Sequence, residues 1–575
     1  MIPHPSDGGW LLIDRKAAGQ GIAAQAEAVV ERLMVRGWRV GWRVDDLLVL
    51  MGPRAWRACR LVGPAHLMIG TWRPKGQDTP AALVGRYRGG RALADAMVTR
   101  GWGDYVLAWR GEGGGLEALR DPSGAVDSLG WTYQGLRVLS DQWPPEADAL
   151  LPAEAALDWP LLGRMADRPQ LATRRSAVTG VWTIPPGGFA RITDKAAITP
   201  IWRPAEFYGG AFDAGEDALV NVVDGVVQAL ARDHGRVMAE LSGGLDSAIV
   251  VGSLVEGASV SPRVVNYHGP WPEGDERVYA RAAADLHGLT LHEAVKPVRP
   301  LRQGQFDRLG LGVRPAFQGL DPFYDADMAA RMRRARSACV TGQGGDAVFF
   351  QQPTPWVTSD RVARIGLRGL SPRHLSNVAE WTRRSAWAVG ALGLHRTAAE
   401  ADEADPHPWL TGLERLPPGK RLQIRQLVNA QSYWRDSLRL RAGPVLHPLL
   451  TQPVTEHALA IPTDLLTRGE GEVRDRALAR RAFAHRLPDR IRQRRNKGDL
   501  TRYYGRINRL SLPLLRSLLL EGRLASHGVI DAAGLDAILT PERLIWDDRH
   551  SRATLPAVVE CWARCWEVRL RQRGR

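Results

Sequence analysis

The residues best suited to chemistry form the run LSGGLDSAIV, from Leu241 to Val250. It follows an apolar stretch, Arg236–Leu241, that predicts a buried strand, and it continues from Ser247 into a stretch that predicts a helix. A strand, a glycine turn and a helix in this order present backbone N–H groups and the positive end of a helix to phosphate. The run therefore predicts a loop that binds the pyrophosphate end of ATP.

Each residue type in this loop has a chemical reason. Gly243 and Gly244 allow the backbone to approach phosphate closely, and Asp246 can hold the magnesium ion that the phosphates require. The two serines can donate hydroxyl hydrogen bonds. An ordinary turn in an α/β domain is the alternative. We expect the nucleotide to contact Ser242, Gly243, Gly244, Leu245, Asp246 and Ser247.

The string SGGLDS resembles the pyrophosphate-loop signature of the asparagine synthetase superfamily. The Walker pattern GxxxxGK[ST], which usually serves chemistry at the terminal phosphate, does not occur in the sequence. In the superfamily a carboxylate attacks the α-phosphorus of ATP, pyrophosphate leaves, and an amine displaces AMP from the acyl-adenylate. The resemblance thus implies an AMP-forming carbon–nitrogen ligase that uses ATP and Mg²⁺.

A second glycine-rich segment, Thr341–Phe349 (TGQGGDAVF), resembles the superfamily's Ser-Gly-Glu-Gly-x-Asp-Glu-x-Phe. By this resemblance Asp346 joins Asp246 as a metal ligand for magnesium-pyrophosphate, and Gly344 and Gly345 contact the nucleotide. A glycine turn without function is the alternative. Two such turns in one sheet, each with an aspartate, favour shared metal coordination.

A basic run near the end of the chain, Arg494–Gly498 (RRNKG), resembles the superfamily's Arg-x-Lys-x-Gly region. The resemblance makes Lys497 the catalytic lysine that stabilises charge on the adenylate and the pyrophosphate. A compact ammonium on a flexible stem suits this task. A solvated basic surface is the alternative.

Two positions depart from ordinary asparagine synthetases. Gln343 stands where those enzymes carry a glutamate, and Pro444–Leu450 corresponds to their acceptor-side segment Arg-x-Pro-Phe-Leu with the arginine replaced. These departures argue against asparagine synthesis. No general base can be assigned: Glu380, on a predicted helix, is a candidate, and a surface glutamate is the favoured alternative.

The elements around these motifs predict an α/β fold. Alternating strands and helices imply a parallel sheet wound by helices, with the ligand crevice at the carboxyl ends of the strands. Beyond about residue 360 the pattern is mainly of amphipathic helices, including Leu422–Leu440 and Leu555–Arg571. The alternation runs through Pro262–His268, Glu276–His287, Thr290–Val295, Pro322–Arg336 and Ala338–Thr341.

The N-terminal part has a different pattern, and we place a domain boundary between residues 205 and 206. Residues 1–205 predict mainly strands and turns, while residues 206–575 form the synthetase domain. Predicted strands cover Val35–Val44, Leu47–Met51 and Tyr105–Trp109. Three segments resemble the class II glutamine amidotransferase domain, which implies an Ntn-type sandwich. They are Gly103–Trp109, Arg120–Gly124 and Gly180–Gly187.

The start of the chain departs from that amidotransferase domain. A working glutaminase of this class exposes an N-terminal cysteine, whose thiol attacks the glutamine amide. Here residue 2 is Ile2, and the nearest cysteine is Cys59. We therefore expect this domain to lack glutaminase activity.

The missing cysteine, the GQGGD loop and the segment His407–Leu410 (HPWL) together resemble the lasso peptide macrolactam synthetases, or lasso cyclases. Those enzymes join the N-terminal amine of a core peptide to an Asp or Glu side-chain carboxylate. The resemblance implies a precursor peptide as substrate, with a leader peptidase and a leader-binding protein as candidate partners. The alternatives are an asparagine synthetase, a β-lactam synthetase-like ligase of small molecules, and a non-catalytic nucleotide-binding partner subunit.

Composition narrows the class only slightly. The chain has 575 residues, 44% of them hydrophobic, which is too long for one core. Its net charge of +15 comes mostly from scattered arginines outside any nucleic-acid-binding module. No apolar stretch is long enough to span a membrane, and no signal peptide is recognisable. We expect a cytoplasmic enzyme that binds no nucleic acid.

Overall fold

The computed structural model of the chain describes residues 5–111, 113–210, 215–257, 261–317, 320–394, 407–434, 436–495, 498, 501–546 and 551–573. Its N-terminal part contains the strands β1 (Trp10–Asp14), β2 (Arg39–Val44), β3 (Leu47–Met51), β4 (Cys59–Gly63), β5 (His66–Pro74), β6 (Gly101–Arg110), β7 (Leu116–Arg120), β8 (Leu129–Tyr133), β9 (Leu136–Ser140), β10 (Trp182–Thr183), β11 (Gly188–Ile192) and β12 (Ala196–Pro200). They form two six-stranded sheets, in the orders β10-β8-β9-β1-β3-β2 and β12-β11-β7-β6-β5-β4.

The two sheets stack face to face, because every second residue of their strands is apolar and points inward. Leu12 and Val49 of the first sheet share a buried cluster with Ile69, Val106 and Ala118 of the second. The outer faces are covered by helices α1 (Gln20–Val35), α2 (Pro80–Tyr87), α3 (Gly90–Arg100) and α4 (Trp159–Asp167). The expected sandwich is therefore present, while its assignment as Ntn-type stays a prediction.

One strand prediction in this part is wrong at its start. Val35 ends helix α1, and strand β2 begins only at Arg39. Gly37 adopts a left-handed φ of 92°, and the N–H of Trp38 donates to Leu33 O at 2.9 Å. This glycine-based helix stop, with Trp38 buried beside it, overrides the apolar pattern that suggested one long strand.

The parallel sheet expected after residue 236 is confirmed. Its strands are β13 (Val237–Glu240), β14 (Arg263–His268), β15 (Leu291–Val295), β16 (Ala338–Val340) and β17 (Val445–Leu446), in the order β15-β14-β13-β16-β17. All four neighbouring pairs are parallel. The helices around it are α5 (Glu216–His234), α6 (Leu245–Glu256), α7 (Arg277–Leu286), α8 (Gln303–Leu309), α9 (Pro322–Ala335) and α10 (Gly345–Val348).

The rest of the chain is helical, as expected. The helices are α11 (Trp356–Ile365), α12 (Pro372–Thr382), α13 (Ala386–Leu394), α14 (Pro418–Ala430), α15 (Leu438–Ala442), α16 (Gln452–Ala460), α17 (Thr463–Leu466), α18 (Ala477–Ala482), α19 (Asp489–Arg492), α20 (Thr501–Leu510), α21 (Leu512–Leu520), α22 (Arg523–Ser526), α23 (Ala532–Ile538), α24 (Pro541–Trp546) and α25 (Ser551–Gln572). Helix α25 contains the predicted Leu555–Arg571. None of the helices in these described ranges is long and apolar enough to cross a membrane.

The predicted helix Leu422–Leu440 is not continuous. Helix α14 ends at Ala430, a 3-10 turn covers Gln431–Trp434, and α15 starts at Leu438. Ser437 caps the new helix, since its side chain accepts a hydrogen bond from Leu440 N at 3.2 Å. The amphipathic pattern continues across this break, so the sequence alone did not reveal it.

The sandwich and the synthetase part are joined by buried polar contacts. Arg314, between α8 and α9, is 4% exposed and pairs with Asp127 of the sandwich at 2.7 Å. It also donates to Ala172 O at 2.6 Å and to Thr183 Oγ1 at 2.8 Å. Trp409 of the HPWL segment donates to Pro186 O at 3.0 Å. The domain boundary near residue 205 stays a prediction.

Candidate functional site

The SGGLDS loop begins directly after β13 and leads into α6. Ser242 Oγ and Ser247 Oγ are 3.0 Å apart, and the N–H of Gly244 donates to Ser242 Oγ at 3.2 Å. Gly243 has a left-handed φ of 89°, and a Cβ there would lie 2.6 Å from the backbone oxygen of Glu276. The serines thus brace a tight turn that requires glycine at position 243.

The second glycine loop packs directly on the first, because β13 and β16 are neighbours and both loops leave the carboxyl edge of the sheet. A Cβ on Gly342 would lie 2.4 Å from Ser247 N, and one on Gly345 would lie 2.4 Å from Asp246 Cγ. Gly344 adopts a left-handed φ of 91°. The glycines therefore allow the two loops to approach within direct contact.

Asp246 and Asp346 meet at one cation, the guanidinium of Arg476. Its Nη1 lies 2.8 Å from Asp246 Oδ2 and 2.9 Å from Asp346 Oδ1. Burial alone would lower the pKa of Arg476, but the charges of Asp246, Asp475 and Asp346 outweigh burial and raise it. Arg476 is therefore charged at every physiological pH. The sequence analysis missed it, because nothing in its local pattern separates it from the chain's other arginines.

Asp246 and Asp346 also fit the metal that the sequence predicts. One oxygen of each carboxylate lies within 2.9 Å of the same nitrogen atom, so the two side chains converge on one point. Carboxylate oxygens are the protein ligands that Mg²⁺ prefers, with phosphate oxygens and water completing its shell. These two aspartates are therefore the residues that could hold Mg²⁺, which would take the place that Arg476 Nη1 has between them.

The basic run of the predicted catalytic lysine is attached to the first loop by Glu276. This carboxylate accepts hydrogen bonds from Arg494 Nη2 at 2.6 Å and from Gly498 N at 2.7 Å. Arg494 Nη1 also donates to Gly243 O at 3.3 Å. Lys497 itself lies outside the described residues, and its role stays a prediction. Arg494, three positions before it, nevertheless contacts the phosphate loop, and Gly498 contacts Glu276.

Comparison with known proteins adds a family to this geometry. The family model described as asparagine synthase matches residues 219–564, which is more than half of the chain. The chain belongs to the asparagine synthase family. Members of this family are ATP-dependent ligases that form amide bonds. This protein is therefore an amide-forming ligase that uses ATP.

No curated protein matches the chain. Among solved structures, it is similar to one described as the structure of the allosteric regulatory enzyme of purine biosynthesis. The two sequences are 10% identical, the match covers 51% of this chain and 82% of that chain, and the TM-score is 0.20. This distant similarity supports no statement about the fold or the activity of the ligase.

Two clefts of this family member lie beside the site, one lined by Arg476 and the other by Asp346. The first cleft has a volume of about 540 Å³ and is lined by Arg476, which pairs with both aspartates. Its basic lining consists of Arg383, Arg474, Arg476, Arg480, Arg494 and Arg495. The other, of about 570 Å³, is lined by Asp346, Gly344 and Tyr433 together with several amide side chains. Gln351 and Pro353 line both clefts, so they form the ridge between them.

Tyr433 lies close to the charges of the site. Burial, and then the negative charges of Asp346 and Asp246, raise the pKa of its phenol. The hydroxyl therefore stays protonated and can donate a hydrogen bond to an anionic substrate group.

Glu380, the candidate general base of the sequence, has a side chain that is 79% exposed and lies 3.7 Å from Arg495. It has the surroundings of a surface glutamate.

His447, in the acceptor-side segment, connects the second loop to the turn that carries Tyr433. Burial lowers the pKa of His447 to about 3, so the imidazole is neutral. Its Nε2 faces Tyr433 O at 3.2 Å and must carry the hydrogen, while Nδ1 accepts from the Thr341 hydroxyl at 2.6 Å. Thr341 Oγ1 accepts in turn from Gln343 N at 3.2 Å. These hydrogen bonds fix the position of the second glycine loop relative to the cleft wall that carries Tyr433.

Proposed function

We propose that this ligase is a lasso peptide cyclase. It adenylates the side-chain carboxylate of an Asp or Glu in a precursor peptide and joins the acyl group to the peptide's N-terminal amine, which forms a macrolactam. AMP and pyrophosphate are the other products. The observation that carries this proposal is the aspartate pair at Arg476, with an arginine-lined cleft and an amide-lined cleft beside it.

The arginine-lined cleft is the candidate site of the triphosphate. Its guanidinium groups offer planar pairs of N–H donors that suit phosphate oxygens, and Arg476 presents its charge at the two aspartates. Mg²⁺ held by Asp246 and Asp346 would neutralise charge on the phosphates. Arg476 and Lys497 would then stabilise the charge that grows on pyrophosphate as it leaves.

The amide-lined cleft is the candidate site of the peptide. The reacting carboxylate would lie beside Gly344 and Tyr433, and the neutral Tyr433 hydroxyl can donate to a carboxylate oxygen. The amine would approach from the same peptide, so that ring closure becomes a problem of positioning two groups of one bound molecule. Proximity of this kind supplies much of the rate that amide formation requires.

We also propose that the amine does not come from glutamine. Within residues 1–205 the only cysteine is Cys59, which lies inside strand β4, and burial raises the pKa of its thiol to about 11. Such a thiol is almost fully protonated at neutral pH and is a poor nucleophile. Incubation with glutamine should release no glutamate beyond a blank without protein. Protein-dependent glutamate release would overturn this proposal.

The nucleotide product and the mass of the peptide test the main proposal. With ATP, Mg²⁺ and a synthetic core peptide, chromatography should show AMP, and mass spectrometry should show a peptide that has lost one water. The same peptide with an acetylated N-terminus is the matched control, and it should give no ring. ADP with orthophosphate would contradict the adenylation mechanism.

The same assay separates the other proposals. Asparagine formed from aspartate, ATP and ammonium would favour an asparagine synthetase, and ring closure of a small amino acid would favour a β-lactam synthetase-like ligase. ATP binding without any AMP would favour a non-catalytic subunit. If AMP and ring appear only after a leader peptidase and a leader-binding protein are added, those proteins are partners. Action in the cytoplasm is part of the proposal.

A further inference from the structure

The amide-lined cleft has an unusual chemical character for a site beside a phosphate loop. Four amide side chains line it in addition to Gln351, and they come from three separate parts of the chain. They are Gln170 of the sandwich part, Gln352 after helix α10, and Gln426 and Asn429 of helix α14. A primary amide both donates and accepts hydrogen bonds, as a peptide group does.

The cleft also lacks positive charge. Among the described residues that line it none is Arg, Lys or His, and Asp346 is its one charged group. The neighbouring cleft, across the ridge of Gln351 and Pro353, has six arginines. A free amino acid would bring an α-carboxylate into the amide-lined cleft without a cation to pair it, and removing an unpaired charge from water is costly.

The amide group of Gln426 has only one of its two ends hydrogen-bonded, which indicates a ligand contact. Its Nε2 donates to Gln352 Oε1 at 2.5 Å, but its Oε1 is buried and has no hydrogen-bond partner among the described residues. A buried carbonyl oxygen without a donor carries a desolvation cost that a ligand N–H group would remove. Gln426 lines the cleft, so a turn of its amide group would present this oxygen to a ligand N–H group.

We infer that this cleft selects an acyl substrate in which the groups on both sides of the reacting carboxylate are already amides. Gln426 accepts from a backbone N–H of the substrate, while Gln352 and Asn429 bond to its neighbouring peptide groups. The inference rests on the proposed function, because it concerns the same site and the same reacting carboxylate. It goes further in naming specificity-determining residues and in excluding free dicarboxylic amino acids.

The test compares two small probes that carry the same reacting carboxylate. N-acetyl-aspartate α-methylamide has amides on both sides, whereas L-aspartate has free charges. Binding to the whole protein with ATP and Mg²⁺ is measured by saturation-transfer NMR, and AMP formation is measured in parallel. We expect the blocked probe to bind at least about tenfold more tightly, since one unpaired charge or lost buried hydrogen bond has an effect of that order.

A pair of variants sharpens the test. Gln426→Arg adds a guanidinium to the cleft and removes the acceptor, so it should bind L-aspartate more tightly and the blocked probe more weakly. Gln303→Arg adds the same charge at an exposed position of helix α8 that does not line the cleft, and it should keep the parent preference. Equal or tighter binding of L-aspartate by the parent protein, or no binding of either probe, would overturn the inference. Failure of the proposed function is a separate result, namely that the blocked probe binds and no AMP forms.

Discussion

Gly345 and Asp246 are in such close contact that a Cβ on Gly345 would lie 2.4 Å from the carboxyl carbon of Asp246. Gly345→Ala should therefore displace the carboxylate from the convergence point with Asp346. We expect AMP formation to fall by about a hundredfold or more, as it does when one aligned electrostatic group is lost. Steady-state assay with peptide and ATP measures this loss.

The matched control is Gly225→Ala in helix α5, where a Cβ has nothing within 4 Å. This change should leave activity at the parent level and stabilise the protein by about 0.5–1 kcal/mol, because alanine favours helix. Equal activity in both variants would mean that the contact of Gly345 with Asp246 does not position the carboxylate.

Asp246 and Asp346 should behave as one unit. Asp246→Asn and Asp346→Asn each remove one carboxylate charge from the same point, so each should abolish macrolactam formation. The double variant should be no worse than either single one, since the shared metal-phosphate group is already lost. Asp285→Asn on the exposed face of α7 is the control. Full activity in one of the two site variants would remove that aspartate from the site.

Glu276 should act as a positioning residue. Glu276→Ala removes the acceptor of Arg494 and Gly498, so two of the hydrogen bonds that hold the basic run at the phosphate loop are lost. We expect kcat to fall by about ten- to a hundredfold, with a smaller change in KM for ATP, because misplacement affects the transition state most.

Glu276→Gln keeps one oxygen acceptor and should recover part of kcat. Glu293→Ala, which breaks a surface ion pair with Arg281, should behave like the parent protein. Should Glu276→Gln and Glu276→Ala lose kcat equally, the carboxylate charge, and not the attachment, would be what matters.

Lys497 is predicted to stabilise charge on the α-phosphate and the leaving pyrophosphate. Lys497→Met should lower turnover by about a hundredfold or more, with far less effect on ATP affinity. Arginine should not rescue well, since its planar group needs more room than an ammonium. Single-turnover kinetics and ATP binding separate the two effects. Cyclisation at near the parent rate would leave the run as a solvated basic surface.

His447 should make the protein less stable in acid. Burial lowers its folded-state pKa from 6.5 to about 3, so below pH 6.5 the unfolded chain takes up a proton that the folded protein does not. The stability it contributes is present above pH 6.5 and is lost as the pH falls, by up to about 1.4 kcal/mol per pH unit. Urea unfolding at pH 6.5 and pH 5.5 measures this loss.

His447→Asn should lose less stability than the parent protein over the same pH interval, because it has no imidazole to protonate. The exposed His292→Asn serves as control and should follow the parent curve. Parallel curves for all three proteins would show that His447 is protonated normally in the folded state.

Much of the site could be predicted from the sequence, because strand, glycine turn and helix are local features. The strings around Asp246 and Asp346 each specify their own turn, and the alternation of strands and helices implies that both turns reach one edge of a parallel sheet. Boundaries were less certain. A left-handed Gly37 and the cap at Ser437 divided two segments whose apolar patterns run on without a break.

The tertiary structure decided which distant groups meet. Arg476 pairs with Asp246 across 230 positions of sequence and with Asp346 across 130, and no local pattern marks that one arginine among the chain's 77 basic residues. The amide-lined cleft likewise combines Gln170 of the sandwich part with Gln426 of helix α14. Loop motifs follow from backbone conformations that neighbouring residues impose, whereas these contacts exist only because packing of the helices on the sheet and the sandwich brings their surfaces together.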